Sequence, residues 1–381
     1  MAVAIKKEGL PKGISWREDR KCYLGRVTYQ GQPHVLYDDN WKRLNIRLEE
    51  LRVELKKGTY VKECTFTLNE WFDRWMETYK KKTVKYGTYY NYLNHFNYYV
   101  KGGIGKKKLK DVTVDDIQTL YNSLSDRDFA AGTIKLVGAT LNGCFKKAVN
   151  NRMITFNPVP LAEIPKCKEK KEKYVFTKDE QNQFMEYIKE SYLYDLFRII
   201  IMTGMRNGEA RALRWCDIDF EKKLISVNHT LVWVTGEGHM LDTPKTKASK
   251  RKIPMLSQVC EILSEKKRQA DSMGIGNEDN FIFCLPDGTE LSRSRVELQL
   301  EATEKHMTED GIQTEHFTCH TLRHAFATRA IENGMKPQVL KTILGHSNIS
   351  MTMDLYAHVL GDEKAQEMLL MENLFMENLA M

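Results

Sequence analysis

A lysine-rich stretch at residues 166–173 constrains the fold of this chain more than any other part of its sequence. It reads Lys-Cys-Lys-Glu-Lys-Lys-Glu-Lys and has no apolar period, so it is disfavoured in any core. Such charge is tolerated in a tether, and it can also lie along a phosphate backbone. A chain of 381 residues is also long enough for two or three domains. We therefore predict a basic linker at 166–173 with separately folded domains on either side.

The first 60 residues have strand character followed by a helical stripe. Residues 14–17, 23–29 and 33–37 are rich in strand-forming side chains, and a Gln-Gly turn separates the last two segments. Residues 41–56 then place four leucines on one helical face, which are Leu44, Leu48, Leu51 and Leu55. We predict a βββα domain at 1–60, small enough to need tight packing or a partner.

Residues 65–165 are predicted to form an all-helical domain. Thr67 and Thr113 are candidate N-caps for helices at 68–79 and 115–124. Further helices are predicted at about 88–99 and at 131–150, with a glycine-rich break at 102–105 between the helices. This pattern fits a compact bundle of four or five helices.

Residues 174–360 form the largest predicted unit, with mixed α and β character. Thr177 and Glu180 form a capping box at the start of a helix, and 195–202 is strongly apolar. Strands are predicted at 224–234, 251–255 and 281–284, and helices elsewhere. The tail at 361–381 is rich in Leu and Met, so its apolar surface is expected to pack either on its own domain or on a neighbouring protomer.

Charge and cysteine usage narrow the class of protein. The net charge of +7 suits a polyanionic partner without requiring one, and lysines cluster at 80–82 and 106–108. Eight cysteines occur without Cys-x-x-Cys spacing, which argues against zinc and for reduced thiols in a cytosol. No apolar run approaches the ~18–20 residues of a membrane span, and the N-terminus lacks the apolar segment of a secretion signal.

The segment from 320 to 358 combines side chains that a metal-free attack on a phosphodiester requires. His320 and Arg323 share a helix face at i and i+3, and two glycines then end successive helices. His346 follows the second glycine, and Tyr356 lies on the next short helix. Each feature alone is ordinary, as a surface pair or a half-buried tyrosine. Their joint occurrence, with Arg206 upstream, favours phosphoryl transfer.

These segments together resemble the tyrosine recombinase (phage integrase) family over residues 174–360, about half of the chain. Residues 203–219 resemble its first arginine box, 243–254 its lysine hairpin and 319–328 its second box. Residues 344–347 and Tyr356 complete the set in family order. The beginning and middle of the chain also resemble the arm-binding and core-binding domains of integrases from conjugative transposons and temperate phages.

The fold class implied by this resemblance is multidomain and mainly α with small β parts. It comprises an N-terminal βββα arm-type DNA-binding domain at 1–60 and an all-helical, SAM-like core-binding domain at 65–165. The basic linker at 166–173 leads to a mixed α+β tyrosine recombinase catalytic domain at 174–360. The tail at 361–381 follows.

The resemblance implies a nucleophile and two phosphate clamps. Tyr356 would attack a DNA phosphate, leaving a 3′-phosphotyrosine and a free 5′-hydroxyl, so that no ATP is needed for rejoining. A phenol with a pKa near ~10 needs neighbouring cations or a base to ionise. Arg206 and Arg323 would hold the non-bridging oxygens, because a guanidinium donates two parallel bonds and stays charged.

Three further residues complete the catalytic set that the resemblance implies. Lys245, with Lys247 as the fallback, would protonate the departing 5′-oxygen. His320 would act as an acid or base toward the tyrosine or a phosphate oxygen, and His346 would donate to a phosphate oxygen. Glu209 is interpreted as support for an arginine. No metal and no cofactor are implied, because the cationic side chains neutralise the charge that Mg²⁺ would neutralise elsewhere.

Two surfaces are predicted to contact DNA. The N-terminal sheet would reach an arm site, and the helical domain would reach a core site. The candidate contacts are Arg17, Arg20, Lys21 and Arg26 in the sheet, and Lys85, Tyr86, Thr88 and Tyr89 in the helical domain. A plainer interpretation of the helical segment is a core stripe of Tyr90, Leu93, Phe96 and Val100, which leaves the opposite face free for a groove.

The resemblance also implies partners and a location. It implies double-stranded DNA with core and arm sites, a homotetramer that passes through a Holliday junction, an excisionase, a host DNA-bending protein and no membrane, in the bacterial cytoplasm. Three alternatives stay open: a temperate-phage integrase, a type IB topoisomerase and a DNA-binding regulator without the chemistry. The topoisomerase is disfavoured by the arm-like domain and the tail, and the regulator by the presence of every box residue.

Overall fold

The computed structural model describes residues 9–57, 65–166, 174–234, 238–243, 249–275 and 280–359. Contacts along the chain divide it into two compact units, Met1–Lys170 and Lys171–Met381. Residues 167–173 of the predicted linker and the tail at 361–381 lie outside the described residues, so their predicted roles stay predictions. No helix in the described ranges combines the length and the apolar character that a bilayer crossing requires.

The first unit begins with the predicted βββα arrangement. Strands β1 (Ile14–Arg17), β2 (Cys22–Tyr29) and β3 (Gln32–Asp38) form an antiparallel sheet in that order. Helix α1 (Trp41–Lys57) packs on the sheet through the four predicted leucines, all of which are buried. The approach is close, because a Cβ on Gly25 of β2 would lie 2.5 Å from Leu48 Cδ1.

Residues 65–166, which complete the described part of the first unit, are mainly helical. They contain α2 (Leu68–Trp75), a π-helical extension (Met76–Lys80), α3 (Tyr86–Tyr99), α4 (Val114–Asp126) and α5 (Ala131–Asn150). Both predicted N-caps are confirmed. The Thr67 side chain accepts from the backbone of Glu70, and Thr113 accepts from that of Asp116, each in a capping box.

An aromatic core holds these helices together. Phe72 and Phe96 stack with ring centroids 3.6 Å apart, and the Trp71 indole N–H donates to the Cys144 carbonyl at 3.1 Å. The predicted core stripe of α3 is correct at Phe96 and Val100, with Leu93 packing at its edge. It is wrong at Tyr90, which stacks on Tyr86 with ring centroids 5.5 Å apart. Tyr89 and Tyr92 pack against the core instead.

The second unit opens with three helices, α6 (Lys178–Tyr187), α7 (Tyr194–Thr203) and α8 (Asn207–Arg211). The described residues then form five strands: β4 (Ile218–Asp219), β5 (Leu224–Val227), β6 (Thr230–Val234), β7 (Gly238–Asp242) and β8 (Arg251–Pro254). They form a three-stranded sheet of order β4-β5-β8 and a two-stranded antiparallel sheet of β6 and β7. The prediction of a strand at 281–284 is wrong, because that segment makes only isolated β-bridges. These bridges pair Arg214 with Phe281 and Cys284 with Glu290.

Five helices complete the described part of the second unit. They are α9 (Ser257–Ser272), α10 (Arg293–Glu309), α11 (Cys319–Glu332), α12 (Pro337–Leu344) and α13 (Ser350–Val359). The core beneath them includes a cluster of aromatic rings, which are Phe176, Phe184, Phe197 and Phe317. Helix α11 packs against α7, α12 and α13, and this packing brings the distant sequence boxes together.

Candidate active site

A glycine at the end of α7 allows three helices to converge. Gly204 has φ +64°, which favours glycine, and it ends α7 in a left-handed cap. A Cβ at this position would lie 2.4 Å from Phe326 Cδ1 and 2.8 Å from Leu344 Cδ2. Glycine is therefore required both by the turn and by the close contact with α11 and α12.

Arg323 lies at the centre of this convergence. Its Nη1 donates to the Gly204 carbonyl and its Nη2 donates to the Leu344 carbonyl, both at 2.7 Å. These carbonyls are at the C-terminal ends of α7 and α12, where the helix dipole is negative. Only 3 % of Arg323 is exposed, whereas His320 on the same helix face is exposed. Burial, followed by repulsion from Arg206, lowers the pKa of Arg323 to about 9, so its guanidinium stays charged at neutral pH.

Arg206 reaches into the same region from the start of α8. Its Nη1 donates to Glu209 Oε1 at 2.8 Å, and its backbone N–H donates to Oε2 at 3.0 Å. Glu209 is buried, whereas 39 % of the Arg206 side chain is exposed. The carboxylate thus orients an arginine whose charge faces solvent, which confirms the interpretation of Glu209 as support for an arginine.

The two predicted histidines differ in their environment. His320 is exposed near the start of α11, and its ring packs edge-on against His324 with centroids 4.5 Å apart. His346 follows Gly345, which ends α12 with φ +67° as the sequence predicted. Its Nδ1 is 3.0 Å from the Thr352 hydroxyl oxygen. Burial, followed by the positive charges of nearby arginines, lowers the pKa of His346 to about 4, so its ring is neutral at pH 7.

Tyr356 lies on α13, with its hydroxyl away from solvent. Its ring packs against an apolar cluster of α11 and α12 that includes Ile331 and Leu340. The hydroxyl is buried and has no hydrogen-bond partner within the described residues. Burial raises the pKa of Tyr356. The predicted nucleophile therefore rests in an apolar setting that holds it in its neutral form.

A cleft of about 400 Å³ collects most of the predicted catalytic side chains. Its walls are formed by Val175, Arg206, His320, Arg323, His324, Ala327, Leu344, His346, Met351, Asp354 and Leu355. Four of the six predicted residues thus line one cavity, and Leu355 brings the helix of Tyr356 to its edge. Lys245 and its fallback Lys247 lie at 244–248, outside the described residues, so their roles stay predictions.

Several residues near the cleft were missed by sequence reasoning. Arg251 binds Glu209 from strand β8, Thr352 contacts His346, and His324 packs on His320. Arg211 lines an adjoining cavity of about 350 Å³ that shares Arg206 and His320 with the cleft. For Arg251 a signal existed, because strand alternation places it on the same side as the apolar Ile253. His324 also had a local signal, because it lies four residues after His320 on the same helix. Thr352 and Arg211 left no such signal.

Two of the four sheet residues predicted to contact DNA, Arg17 and Arg26, share a face. Ile14 and Val27 are buried against α1, so alternation places Arg17 and Arg26 on the outer face of the sheet. Arg17 is paired with Asp19 at 3.0 Å, and the Arg20 guanidinium lies 5.1 Å from the centroid of the Tyr37 ring. Lys21 occupies the turn after β1 with φ +47°.

The predicted DNA contacts in the helical domain differ in position and burial. Lys85 precedes α3 as its N-cap, and Tyr86 begins the helix. Thr88 is half-buried, and Tyr89 packs partly against the core. Among the described residues no group of three or more His, Cys, Asp or Glu side chains is arranged to hold a metal ion.

Models of known protein families match two parts of this chain. The model of the phage integrase family matches residues 174–363, and that of the phage integrase N-terminal SAM-like domain matches residues 67–125. The first match contains the cleft and all six predicted catalytic residues. The second contains α2, α3 and most of α4.

Individual relatives extend along nearly the whole chain. A tyrosine recombinase XerC-like protein of Caldanaerobacter subterraneus subsp. tengcongensis is 28 % identical over 89 % of this chain and 91 % of its own. The transposase from transposon Tn916 of Enterococcus faecalis is 24 % identical over 94 % of each chain. The structure of the Tn1549 transposon integrase, in complex with a circular intermediate DNA, superposes with a TM-score of 0.70. It is 25 % identical and covers 80 % of this chain and 99 % of its own. The protein therefore belongs to the phage integrase (tyrosine recombinase) family and is an integrase of the conjugative-transposon type.

Proposed function

We propose that this integrase cuts and rejoins double-stranded DNA at the ends of a mobile element, with Tyr356 as the nucleophile. The observation that carries the proposal is the convergence of Arg206, His320, Arg323 and His346 on one cleft of about 400 Å³. The names of the relatives support it, since they include transposon transposases and an integrase solved with circular intermediate DNA. Relaxation of DNA in the manner of a type IB topoisomerase is not favoured, because transposases align with 94 % of the chain.

The arginines supply the charge that a phosphodiester needs during attack. A guanidinium has five N–H donors, and Arg323 uses one on each of two carbonyls, so it is fixed without losing its capacity to donate. Arg206 is more exposed and is oriented by Glu209. In this role the two arginines bind the non-bridging oxygens, whose negative charge increases as the nucleophile approaches. Such preorganised donors are each worth about 2.7–4 kcal/mol of transition-state stabilisation.

The strand-cutting step is a balanced displacement at phosphorus. The Tyr356 oxygen gives its proton to His320 in this scheme and forms a bond to the phosphorus, while the bond from phosphorus to the 5′-oxygen breaks. The products are a 3′-phosphotyrosine and a 5′-hydroxyl, whose proton is supplied by Lys245 in this scheme. Since one phosphoester replaces another, religation by a second 5′-hydroxyl needs no ATP. The buried tyrosine hydroxyl has to move out of its apolar cluster to reach the cleft.

In this scheme His320 transfers protons near the phosphate, and His346 donates a hydrogen bond to it. His320 is exposed at the edge of the cleft, where it can exchange a proton with the tyrosine or with a phosphate oxygen. His346 is neutral at pH 7, so it acts as a hydrogen-bond donor and not as a cation. The resting ring has a defined orientation because Thr352 contacts its Nδ1.

The proposal also covers the DNA sites, the oligomeric state, the accessory proteins and the cellular location. The sheet residues Arg17, Arg20, Lys21 and Arg26 are assigned to arm sites and the segment around Lys85 to core sites. Reciprocal exchange between two duplexes breaks four strands, so one tyrosine per protomer requires a tetramer that passes through a Holliday junction. An excisionase and a host DNA-bending protein would set direction. The reaction is assigned to the bacterial cytoplasm.

Trapping the covalent intermediate tests the function. The wild-type protein is incubated with a nicked duplex carrying the end of its own element, so that the cleaved strand diffuses away and the adduct accumulates. We expect an adduct that resists denaturing electrophoresis, its loss in Tyr356→Phe, and its retention in the exposed control Tyr192→Phe. DNA binding by Tyr356→Phe should be unchanged in a mobility-shift assay. An adduct that persists in Tyr356→Phe would show that another residue is the nucleophile, and abolition of cleavage by EDTA would contradict the metal-free mechanism.

A further inference from the structure

We propose that Arg251 is a positioning residue for strand transfer, because its guanidinium connects Glu209, and through it Arg206, to the C-terminal end of α12. The inference rests on the proposed function of the cleft. Arg251 is the first residue of strand β8 and does not line the cleft itself. Its influence on the reaction therefore passes through the residues that it holds.

The pair between Arg251 and Glu209 is buried and two-pronged. Nη2 donates to Glu209 Oε2 at 2.8 Å, and Nη1 donates to Oε1 at 3.2 Å. The side chains are 2 % and 4 % exposed. Burial by itself would raise the pKa of Glu209, but hydrogen bonding and charge from Arg251, together with the charge of Arg206, outweigh burial and lower this pKa. The carboxylate is therefore ionised at neutral pH.

Each oxygen of this carboxylate serves two arginines. Oε1 accepts from Arg206 Nη1 at 2.8 Å as well as from Arg251, and Oε2 accepts from the Arg206 backbone N–H at 3.0 Å as well as from Arg251. The three side chains together carry one net positive charge. Without Arg251, Arg206 would be the one arginine still hydrogen-bonded to Glu209 among the described residues. The charge that Arg206 offers to a phosphate would then be largely cancelled.

The Arg251 guanidinium also holds the backbone segment that leads from α12 to His346. Its Nε donates to the carbonyl of Ile343, and its Nη1 donates to the carbonyl of Ser249 at 3.2 Å. Ile343 precedes Leu344, whose carbonyl binds Arg323 at 2.7 Å. Two arginines thus hold consecutive carbonyls at the end of α12, immediately before the turn that carries His346. Loss of Arg251 would remove the hydrogen bond to the Ile343 carbonyl, so that this turn would be held at the Leu344 carbonyl but not at Ile343.

Two substitutions separate positioning from simple stability. Arg251→Met leaves a buried carboxylate beside Arg206, whereas the double variant Glu209→Met/Arg251→Met replaces the whole pair with apolar side chains. Replacement of a buried ion pair by apolar residues is often neutral for stability, so the double variant is expected to fold even where the single one does not. Arg198→Met, which breaks a partly exposed pair with Asp195 in the same unit, is the matched control.

The experiment measures the rate constant of adduct formation at saturating full-length protein, on the nicked duplex that carries the element's end. We expect Arg251→Met to be at least about a hundredfold slower than the wild type. We expect the double variant to recover at least about tenfold of that loss while remaining slower than the wild type. DNA affinity should stay within about threefold throughout, and the control should cleave normally.

Two outcomes would overturn the proposal. One is a folded Arg251→Met or double variant that cleaves as fast as the wild type. The other is a loss of rate that only follows the unfolded fraction measured by circular dichroism. Failure of the proposed function is distinguishable from both, because the wild-type protein would then form no adduct at all.

Discussion

The two sides of the cleft are held in different ways. On the arginine side, Arg323 and Arg206 are fixed by short hydrogen bonds to helix-end carbonyls and to a buried carboxylate. On the nucleophile side, Tyr356 is held by apolar packing, and its hydroxyl has no partner within the described residues. The charged side is therefore preorganised without DNA, whereas the nucleophile side is not.

This difference follows from the cost of burying each group. A buried charge is expensive unless it is hydrogen-bonded, so the arginines require fixed acceptors. A buried phenol hydroxyl without a partner costs only about 1–3 kcal/mol, and it regains that free energy when it finds one. The tyrosine can thus leave its cluster for a phosphate, while the arginines stay in place.

The largest effect is expected from Arg323→Lys. An ammonium group cannot span the carbonyls of Gly204 and Leu344 as the guanidinium does, so the phosphate clamp is lost along with the link between helix ends. We expect adduct formation to fall by about 10²–10³-fold. Single-turnover cleavage measures the rate, and urea denaturation separates it from a change in folding. A rate within tenfold of the wild type would contradict the assignment of the fixed clamp to Arg323.

A smaller effect is expected from Thr352→Val. The neutral ring of His346 holds one proton, and its Nδ1 lies 3.0 Å from the Thr352 hydroxyl oxygen. We infer that the hydroxyl donates to Nδ1, which places the ring proton on Nε2, where it can bind a phosphate oxygen. Valine keeps the shape but loses this bond, so we expect cleavage to slow by about tenfold. Thr352→Ser should restore it. If valine is harmless, or if it slows cleavage equally in a His346→Ala background, the hydroxyl does not act through His346.

The smallest effect, of opposite sign, is expected on the nucleophile side. Val359→Ala removes apolar contact between α13 and its cluster without touching either arginine. Because Tyr356 has to leave this cluster, we expect adduct formation to become about threefold faster, at a cost of about 1 kcal/mol in stability. Met353→Ala, at an exposed position on the same helix, should change neither. A slower reaction in Val359→Ala would mean that the packed position of Tyr356 is already productive.

Much of the local structure could be predicted because its causes are local. The capping boxes at Thr67, Thr113 and Thr177 mark three helix starts, and all three are confirmed. Gly345 ends α12 where the spacing requires a left-handed residue. The errors have non-local causes. Tyr90 lost its predicted place in the core to its neighbours Tyr89 and Tyr92, since packing partners select among the tyrosines on a helix that carries many of them.

The sequence by itself determined the chemical inventory of the site and the order of its parts along the chain. Helix caps, glycine turns and the motif residues depend on neighbours a few positions away. They can therefore be predicted from the sequence before the fold is known. Only the tertiary structure decided that Arg323 binds a carbonyl 119 residues away and that Arg251 shares Glu209 across 42 residues. The burial of the Tyr356 hydroxyl was likewise decided only there. Such contacts are set by how helices and strands pack, and packing depends on all the surfaces that meet.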